Sequence, residues 1–366
     1  MFGNRKESVR KFRAMKRVNE QKPKALDLFC GAGGLTVGLQ QAGFEVIGAV
    51  EILAVAADTY QENHPNVDLH RKDIRTIAPE DLMKKWNLKE GELDLIAGCP
   101  PCQGFSSIRT RNKASSVEDA RNDLVFEYLR FIETFLPKAV MMENVPALAR
   151  DKRIQDVLAK LAELGYKVDD STVQVQDAAN FGVPQRRRRM ILMTSRLGKI
   201  PETPKAIEKV TVRKAFEQLD KASKSKDMLH NLSSKRTERI QNLIAAIPKD
   251  GGSRSSLPQS MWLECHKRYP QGFKDVYGRI AWDDVSPTMT GGCNNPSKGR
   301  FLHPEENRVI SLREAALLQT FPKDYYFPTN QSRDKVALMI GNALPPEFIR
   351  RHASSIAKHL SSFKLP

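Results

Sequence analysis

Short apolar runs alternate with amphipathic stretches along the first half of the chain. Residues 25–29, 45–50, 67–69, 93–97, 138–142, 168–175 and 188–193 read as strands, most of them near-continuous in apolar side chains. Between them, the stretch ending at Ala42 and residues 54–62, 122–135 and 154–164 carry apolar positions at helical spacing. Such alternation predicts an α/β fold whose mostly parallel sheet is covered on both faces. The pattern stops near Ser195. Residues 196–300 are richer in Pro, Gly, Ser and Lys, and helical character returns at 312–319 and again over 334–361. The expected organisation is an N-terminal arm (1–24), a large α/β unit (25–195 and 323–366), and a smaller insert with its hinge (196–322).

Charge adds a partner to this picture. The 366 residues carry a net charge of +16, and residues 196–300 hold 20 Lys/Arg against 11 Asp/Glu. That excess points to a polyanion such as nucleic acid, although ribosome-associated and membrane-surface proteins share the signal. Apolar residues at 40% and charged residues at 28% fit a soluble globular chain and exclude a disordered one. No apolar run approaches the ~18 residues of a membrane helix. The first 24 residues hold nine Lys/Arg and two Glu without an apolar core, so they read as a solvated arm and not a secretory signal. A cytoplasmic, nucleoid-associated location is expected. The five cysteines (Cys30, Cys99, Cys102, Cys265 and Cys293) are too scattered for a disulfide framework and fit a reducing compartment with a working thiol.

Two turns carry candidate chemistry. Asp27-Leu28-Phe29-Cys30-Gly31-Ala32-Gly33-Gly34-Leu35 has the strand–turn–helix context of a nucleotide-type site. Its third glycine is misplaced for a dinucleotide fingerprint, and no Gly-Lys-Ser/Thr follows for a P-loop. Glu51 lies just past the next run, where a carboxylate meets ribose hydroxyls, and Asp73 follows a third run, suited to an adenine amino group. The second turn, Gly98-Cys99-Pro100-Pro101-Cys102-Gln103, follows the run at 93–97, where open α/β sheets place ligands. Two prolines would make it rigid and fix the aim of the Cys102 thiol, which must ionise to attack. A redox Cys-x-x-Cys pair, half a zinc site and a zinc deaminase motif are the competing readings. Cys265 and Cys293 form no second close pair, and the single His-x-Glu, at His303, follows the cysteines instead of preceding them.

Pro101-Cys102-Gln103 and the glycine turn are joined by further blocks in order: Glu143-Asn144-Val145, Gln185-Arg186-Arg187-Arg188-Arg189, the segment from Arg308 through Phe321-Pro322, and Gly341-Asn342-Ala343. This ordered set, running from about residue 25 to 358, resembles the DNA (cytosine-5) methyltransferase family of bacterial and phage modification type. The resemblance implies a Rossmann-like methyltransferase sheet with a smaller basic target recognition domain. It implies S-adenosylmethionine as methyl donor, and no metal. Phe29, Gly31, Gly33, Gly34, Leu35, Glu51, Ile52, Asp73, Ile74, Pro101, Asn342 and Ala343 would bind that cofactor. Cys102 would be the covalent nucleophile toward carbon 6 of cytosine, Glu143 the group that protonates ring nitrogen N3, and Arg187 and Arg189 the stabilisers of charge at O2 and the thiolate. An ordinary glutamate is ionised at neutral pH, so its surroundings or the bound base must favour the protonated form. Arg186 and Arg188 alternate with that pair and should point away; Asn144 would orient its turn. The polar segment 104–121 suits a lid over a flipped base. Double-stranded DNA is the expected partner of a monomeric enzyme, with a cognate restriction endonuclease acting on the same sequence. Rival readings are an RNA cytosine methyltransferase on the same scaffold, a non-catalytic DNA-binding relative and a dinucleotide-dependent oxidoreductase.

Overall fold

The computed structural model describes residues 21–101, 123–231, 236–270, 272 and 274–363. Cys102, the segment 104–121 and most of the N-terminal arm lie outside the described residues. Seven strands form one sheet: β1 (Lys24–Leu28), β2 (Glu45–Val50), β3 (Asp68–His70), β4 (Leu95–Gly98), β5 (Ala139–Asn144), β6 (Val173–Asp177) and β7 (Arg188–Ser195), in the order β3-β2-β1-β4-β5-β7-β6. Neighbouring strands run parallel from β3 to β5, and β7 runs against both β5 and β6. The sheet is thus mostly parallel, as its continuous apolar runs predict: Leu26, Leu28, Leu95, Ile96, Val140 and Met142 are buried because helices cover both faces.

Helices α1 (Gly34–Gln41), α2 (Ala54–Asn63), α3 (Pro79–Lys85), α4 (Leu124–Phe135) and α5 (Lys152–Glu163) fall between the strands. Beyond β7 come α6 (Val212–Phe216), α7 (Met228–Asn231), α8 (Glu238–Ala246), α9 (Glu264–Arg268), α10 (Leu312–Leu318), α11 (Arg333–Asn342) and α12 (Pro346–Ser361). On one sheet face, Leu35 and Leu39 of α1 share a core with Phe348, Ile349 and Ile356 of α12. On the other, α3, α4 and α5 contribute Leu82, Phe131 and Ile154. A third core joins Val212, Leu243, Ile280 and Phe301 to Ala316 and Ile340, and reaches Ala32 and Val37 at the glycine turn.

Several boundaries differ from those the apolar pattern suggests, among them these three. β6 begins at Val173, since Asp169 accepts from the Ser171 amide at 2.9 Å and Thr172 Oγ1 accepts from the Asp169 amide at 2.9 Å, a local turn that competes with the strand. The stretch 334–361 is two helices, because Pro345 cannot continue α11 and Pro346 starts α12 with its fixed φ. β5 runs on through Glu143 and Asn144, which pair with Ile191 and Met190 of β7.

Candidate active site

The turns after β1, β4 and β5 meet at one edge of the sheet, the C-terminal edge of its parallel strands. The Cys99 amide donates to Leu28 O (3.2 Å), and the Cys30 amide to Val50 O (3.1 Å). Asn144 Nδ2 donates to Pro100 O at 2.8 Å while its Oδ1 accepts from the Val145 amide at 2.8 Å, so this side chain ties the proline turn to the end of β5.

The glycine turn is built for close approach. Phe29 and Gly33 have φ of +63° and +95°. A Cβ at Gly33 would stand 2.5 Å from Tyr325 Oη and 2.6 Å from His64 Nε2, and one at Gly34 would stand 2.4 Å from Leu344 O. Residue 33 is thereby sealed from behind by His64 and Tyr325, and residue 34 by the chain just past Ala343. At Gly31 (φ +55°), by contrast, a Cβ would meet no atom of the described residues within 4 Å beyond its two chain neighbours. Beside this open position the Gly31 amide donates to Glu51 Oε2 at 2.9 Å and the Leu53 amide to Oε1 at 2.7 Å. Burial pushes the Glu51 carboxyl up from its ordinary range, while the amides of Leu53, Gly31 and Ile52 oppose that rise. Ile52, next along, exposes 61% of its surface. Asp27, fully buried under the turn, accepts from Thr36 Oγ1 at 2.6 Å through one oxygen, and the other has no hydrogen-bond partner among the described residues. Burial raises its pKa to about 7.

The remaining cofactor candidates are placed unequally. Leu35 is buried in the α1–α12 core and Pro101 is half-buried at the end of the described proline turn. Asn342 is exposed at the end of α11 and Ala343 half-buried beyond it. Asp73 caps a single 3₁₀ turn and grips the Arg75 guanidinium at 2.5–3.1 Å, which holds its carboxyl below the ordinary range. Ile74 turns its side chain into the core beneath α4.

At the other end of the site stands Glu143, 2% exposed. In the β5–β7 register it faces Ile191, so Arg189, two residues away on β7, is its diagonal neighbour on the same face. Arg189 Nε lies 2.9 Å from Glu143 Oε1, but its N–H is not aimed at that oxygen, which has no hydrogen-bond donor among the described residues. Oε2 accepts from Cys99 Sγ at 3.1 Å. Arg187 is buried, and its guanidinium donates to Met289 O (3.0 Å), Gly341 O (3.2 Å) and Ala343 O (3.2 Å), with Nε left unpartnered among the described residues. Burial, reinforced by the nearby Arg189 charge, lowers its pKa to about 9. Arg186 and Arg188 are exposed, as alternation predicts, and Arg186 pairs with Asp284 at 3.1 Å.

The family model for C-5 cytosine-specific DNA methylases matches residues 23–358 of this chain. The chain belongs to that family. This methylase is 34% identical to the Type II methylase M.HgiDII of Herpetosiphon aurantiacus, over 92% of its own length and 95% of that relative's. It is 32% identical to the Type II methyltransferase M1.HphI of Haemophilus parahaemolyticus, over 91% and 86%. In fold it resembles an Escherichia coli prophage protein described as a DNA modification methyltransferase, with TM-score 0.70 at 22% identity over 93% of this chain and 99% of the other. The S. pombe Dnmt2 methyltransferase matches with TM-score 0.60 at 18% identity over 93% and 100%. The methylase is accordingly an S-adenosylmethionine-dependent enzyme. No described helix is long and apolar enough to cross a membrane.

Sequence reasoning missed several residues. His64 and Tyr325, which back the glycine turn, belong to no chemical motif, and nothing in their spacing marks them. Cys99 read only as half of a Cys-x-x-Cys pair, whereas its thiol is on Glu143. Gln185 and Gln319 lie within the ordered blocks, whose pattern assigns neither a role. Gln185 Nε2 donates to Gln319 Oε1 at 2.8 Å, its Oε1 accepts from the Met289 amide at 2.8 Å, and Gln319 Nε2 donates to Ile340 O at 2.5 Å.

Proposed function

We propose that this methylase transfers a methyl group to carbon 5 of a flipped-out cytosine in duplex DNA through a covalent bond to Cys102, as the modification enzyme of a restriction–modification pair. The observation that carries the reading is the seat of Glu143: buried, beside Arg189, on a strand whose end Asn144 ties to the turn leading into Cys102. Gly31, Glu51 and Ile52 form an open, partly apolar cradle with a carboxylate at its base, which fits an adenosyl group; Phe29, Gly33, Gly34, Leu35, Asp73, Ile74, Pro101, Asn342 and Ala343 complete the proposed binding set. S-adenosylmethionine, when bound, supplies the methyl group as an electrophile.

The chain's own residues do the rest. Cytosine carbon 5 is a poor nucleophile, and addition of the Cys102 thiolate to carbon 6 pushes electrons toward it. As the carbon–sulfur bond forms, Glu143 gives a proton to N3, so no charge is stranded on the ring. Arg189 stabilises the carboxylate left behind, and the Nε–H of Arg187 adds positive potential at the same place. When carbon 5 takes the methyl, N3 returns its proton to Glu143. Loss of the carbon 5 proton to solvent base then expels Cys102 and restores the aromatic ring. Residues 196–322 are proposed as the target recognition region, whose Lys and Arg meet phosphates mainly, and 104–121 as the lid over the flipped base.

Labelled S-adenosylmethionine offered with duplex DNA or with transfer RNA tests the substrate: label is expected in DNA, and label in RNA alone overturns the reading. Cys102→Ser is expected to abolish methylation while leaving DNA binding intact. DNA bearing 5-fluorocytosine should trap a covalent adduct with the wild-type protein, because fluorine cannot leave as a proton does. An active Cys102→Ser protein, or no adduct in the presence of methyl donor, removes the covalent mechanism.

A further inference from the structure

A carboxyl group has two equivalent oxygens, and a proton relay needs only one of them. In Glu143 the two are made unequal by Cys99. Its thiol stands 3.1 Å from Oε2, and a carboxylate can only accept, so the S–H is the donor. Oε1, buried, 2.9 Å from Arg189 Nε and without an aimed donor among the described residues, is the oxygen left to carry a proton. Cys99 is also held firmly. Its amide donates to Leu28 O at 3.2 Å, and the next residue, Pro100, accepts from Asn144 at 2.8 Å inside a rigid Pro-Pro turn. The thiol therefore cannot follow a swing of the carboxyl, and resists it.

We propose that Cys99 is a positioning residue that pins Glu143 through Oε2 and so assigns Oε1 as the oxygen that exchanges the proton with N3. The proposal rests on Glu143 being the proton donor. In the reaction the S–H stays on sulfur throughout: Oε1 loses its proton to N3 as Cys102 adds, the resulting carboxylate keeps the Cys99 bond on Oε2, and Oε1 recovers the proton when carbon 5 is methylated. A hydrogen bond from S–H to a charged oxygen favours the carboxylate formed at addition, so its loss slows chemistry more than binding.

The test uses the full chain, tritiated S-adenosylmethionine and PCR-amplified, hence unmethylated, bacterial genomic DNA as the duplex probe. Cys99→Ala is expected to lower kcat about tenfold, equivalent to ~1.4 kcal/mol, with KM for DNA and the affinity for S-adenosylmethionine within about twofold of wild type. Cys99→Ser, which restores a donor in the same place, is expected to recover most of the loss. Wild-type kcat in Cys99→Ala, or a Cys99→Ser protein no faster than it, overturns the proposal. Should Cys99→Ala fold poorly, Cys99→Val, which fills the site without donating, gives the same contrast with serine. Glu143→Gln separates the two levels. If it stays active, the role of Glu143 fails and that of Cys99 with it; if it is inactive while Cys99→Ala runs at full speed, only the role of Cys99 fails.

Discussion

His64 lies behind the glycine turn with Nε2 3.1 Å from the Tyr325 hydroxyl. That hydroxyl donates its one proton to Ala32 O at 2.5 Å, so the imidazole must be the donor to it. Burial lowers the His64 pKa from 6.5 to about 4: the folded protein holds it neutral, whereas the unfolded chain takes up a proton at higher pH. The unfolded state therefore binds more protons between these values, and the stability from neutral His64 is complete above pH 6.5 and lost as pH falls toward 4. Asp27, raised from 3.8 to about 7, works in the opposite sense, its share being lost as pH rises through about 7. A comparison of variants isolates the histidine. Melting temperature measured from pH 7 to 4 should fall less steeply for His64→Gln than for wild type, and equal slopes would show that His64 contributes nothing.

At the scale of an element, the turn between β1 and α1 separates two glycines that look alike in sequence. Alanine at Gly33 would drive its Cβ into Tyr325 and His64, and we expect both melting temperature and S-adenosylmethionine affinity to collapse. Alanine at Gly31 meets no atom of the described residues within 4 Å beyond its chain neighbours, and the strain there is the left-handed one, about 1–2 kcal/mol. For Gly31→Ala we therefore expect a melting temperature lowered by roughly 2–8 °C, with affinity for S-adenosylmethionine weakened at least about tenfold, the ~1.4 kcal/mol of one lost contact. Calorimetric titration decides it: unchanged affinity in Gly31→Ala would mean the open space is not the cofactor's. The same turn was legible from its residues, but not which glycine faces ligand and which faces protein, because the deciding atoms come from Tyr325 and Leu344, about 300 residues downstream.

Across the whole molecule, the sheet, the insert and the C-terminal helices are joined by amide and guanidinium groups instead of by apolar packing alone. Gln185 stands just before β7, Met289 in the insert, Gln319 at the end of α10, and Gly341 and Ala343 at the end of α11 and just past it. Arg187 and Gln319 both donate to Gly341 O and Ala343 O. Replacing Gln319, fully buried, with Leu would remove its bonds to Gln185 and to the Ile340 carbonyl, leaving Gln185 Nε2 with Leu318 O and the Ile340 carbonyl with the Ala343 amide. Each buried hydrogen bond so lost costs roughly 0.5–1.5 kcal/mol net, and we expect Gln319→Leu to lose about 1–3 kcal/mol in urea unfolding. A loss below ~0.5 kcal/mol would show that the junction does not depend on this amide. Arg187, proposed to stabilise charge at the base, is also a clamp: its buried guanidinium donates to the carbonyls of Met289, Gly341 and Ala343.

Local chemistry, by itself, determined the strand–helix alternation, the parallel sheet and the ordered motifs, because apolar periodicity and glycine or proline placement act over a few residues. It also foresaw Asn144 as the orienter of its turn and Arg186 and Arg188 as outward-facing. Tertiary structure alone decided that β7 runs antiparallel between β5 and β6, which makes Arg189 the diagonal neighbour of Glu143. It alone decided that Cys99 bonds Glu143 and that Ile74 is turned into the core. Each depends on which strands become neighbours and on what register they take, and those follow from the sum of packing over the whole chain, a quantity no short stretch of sequence contains.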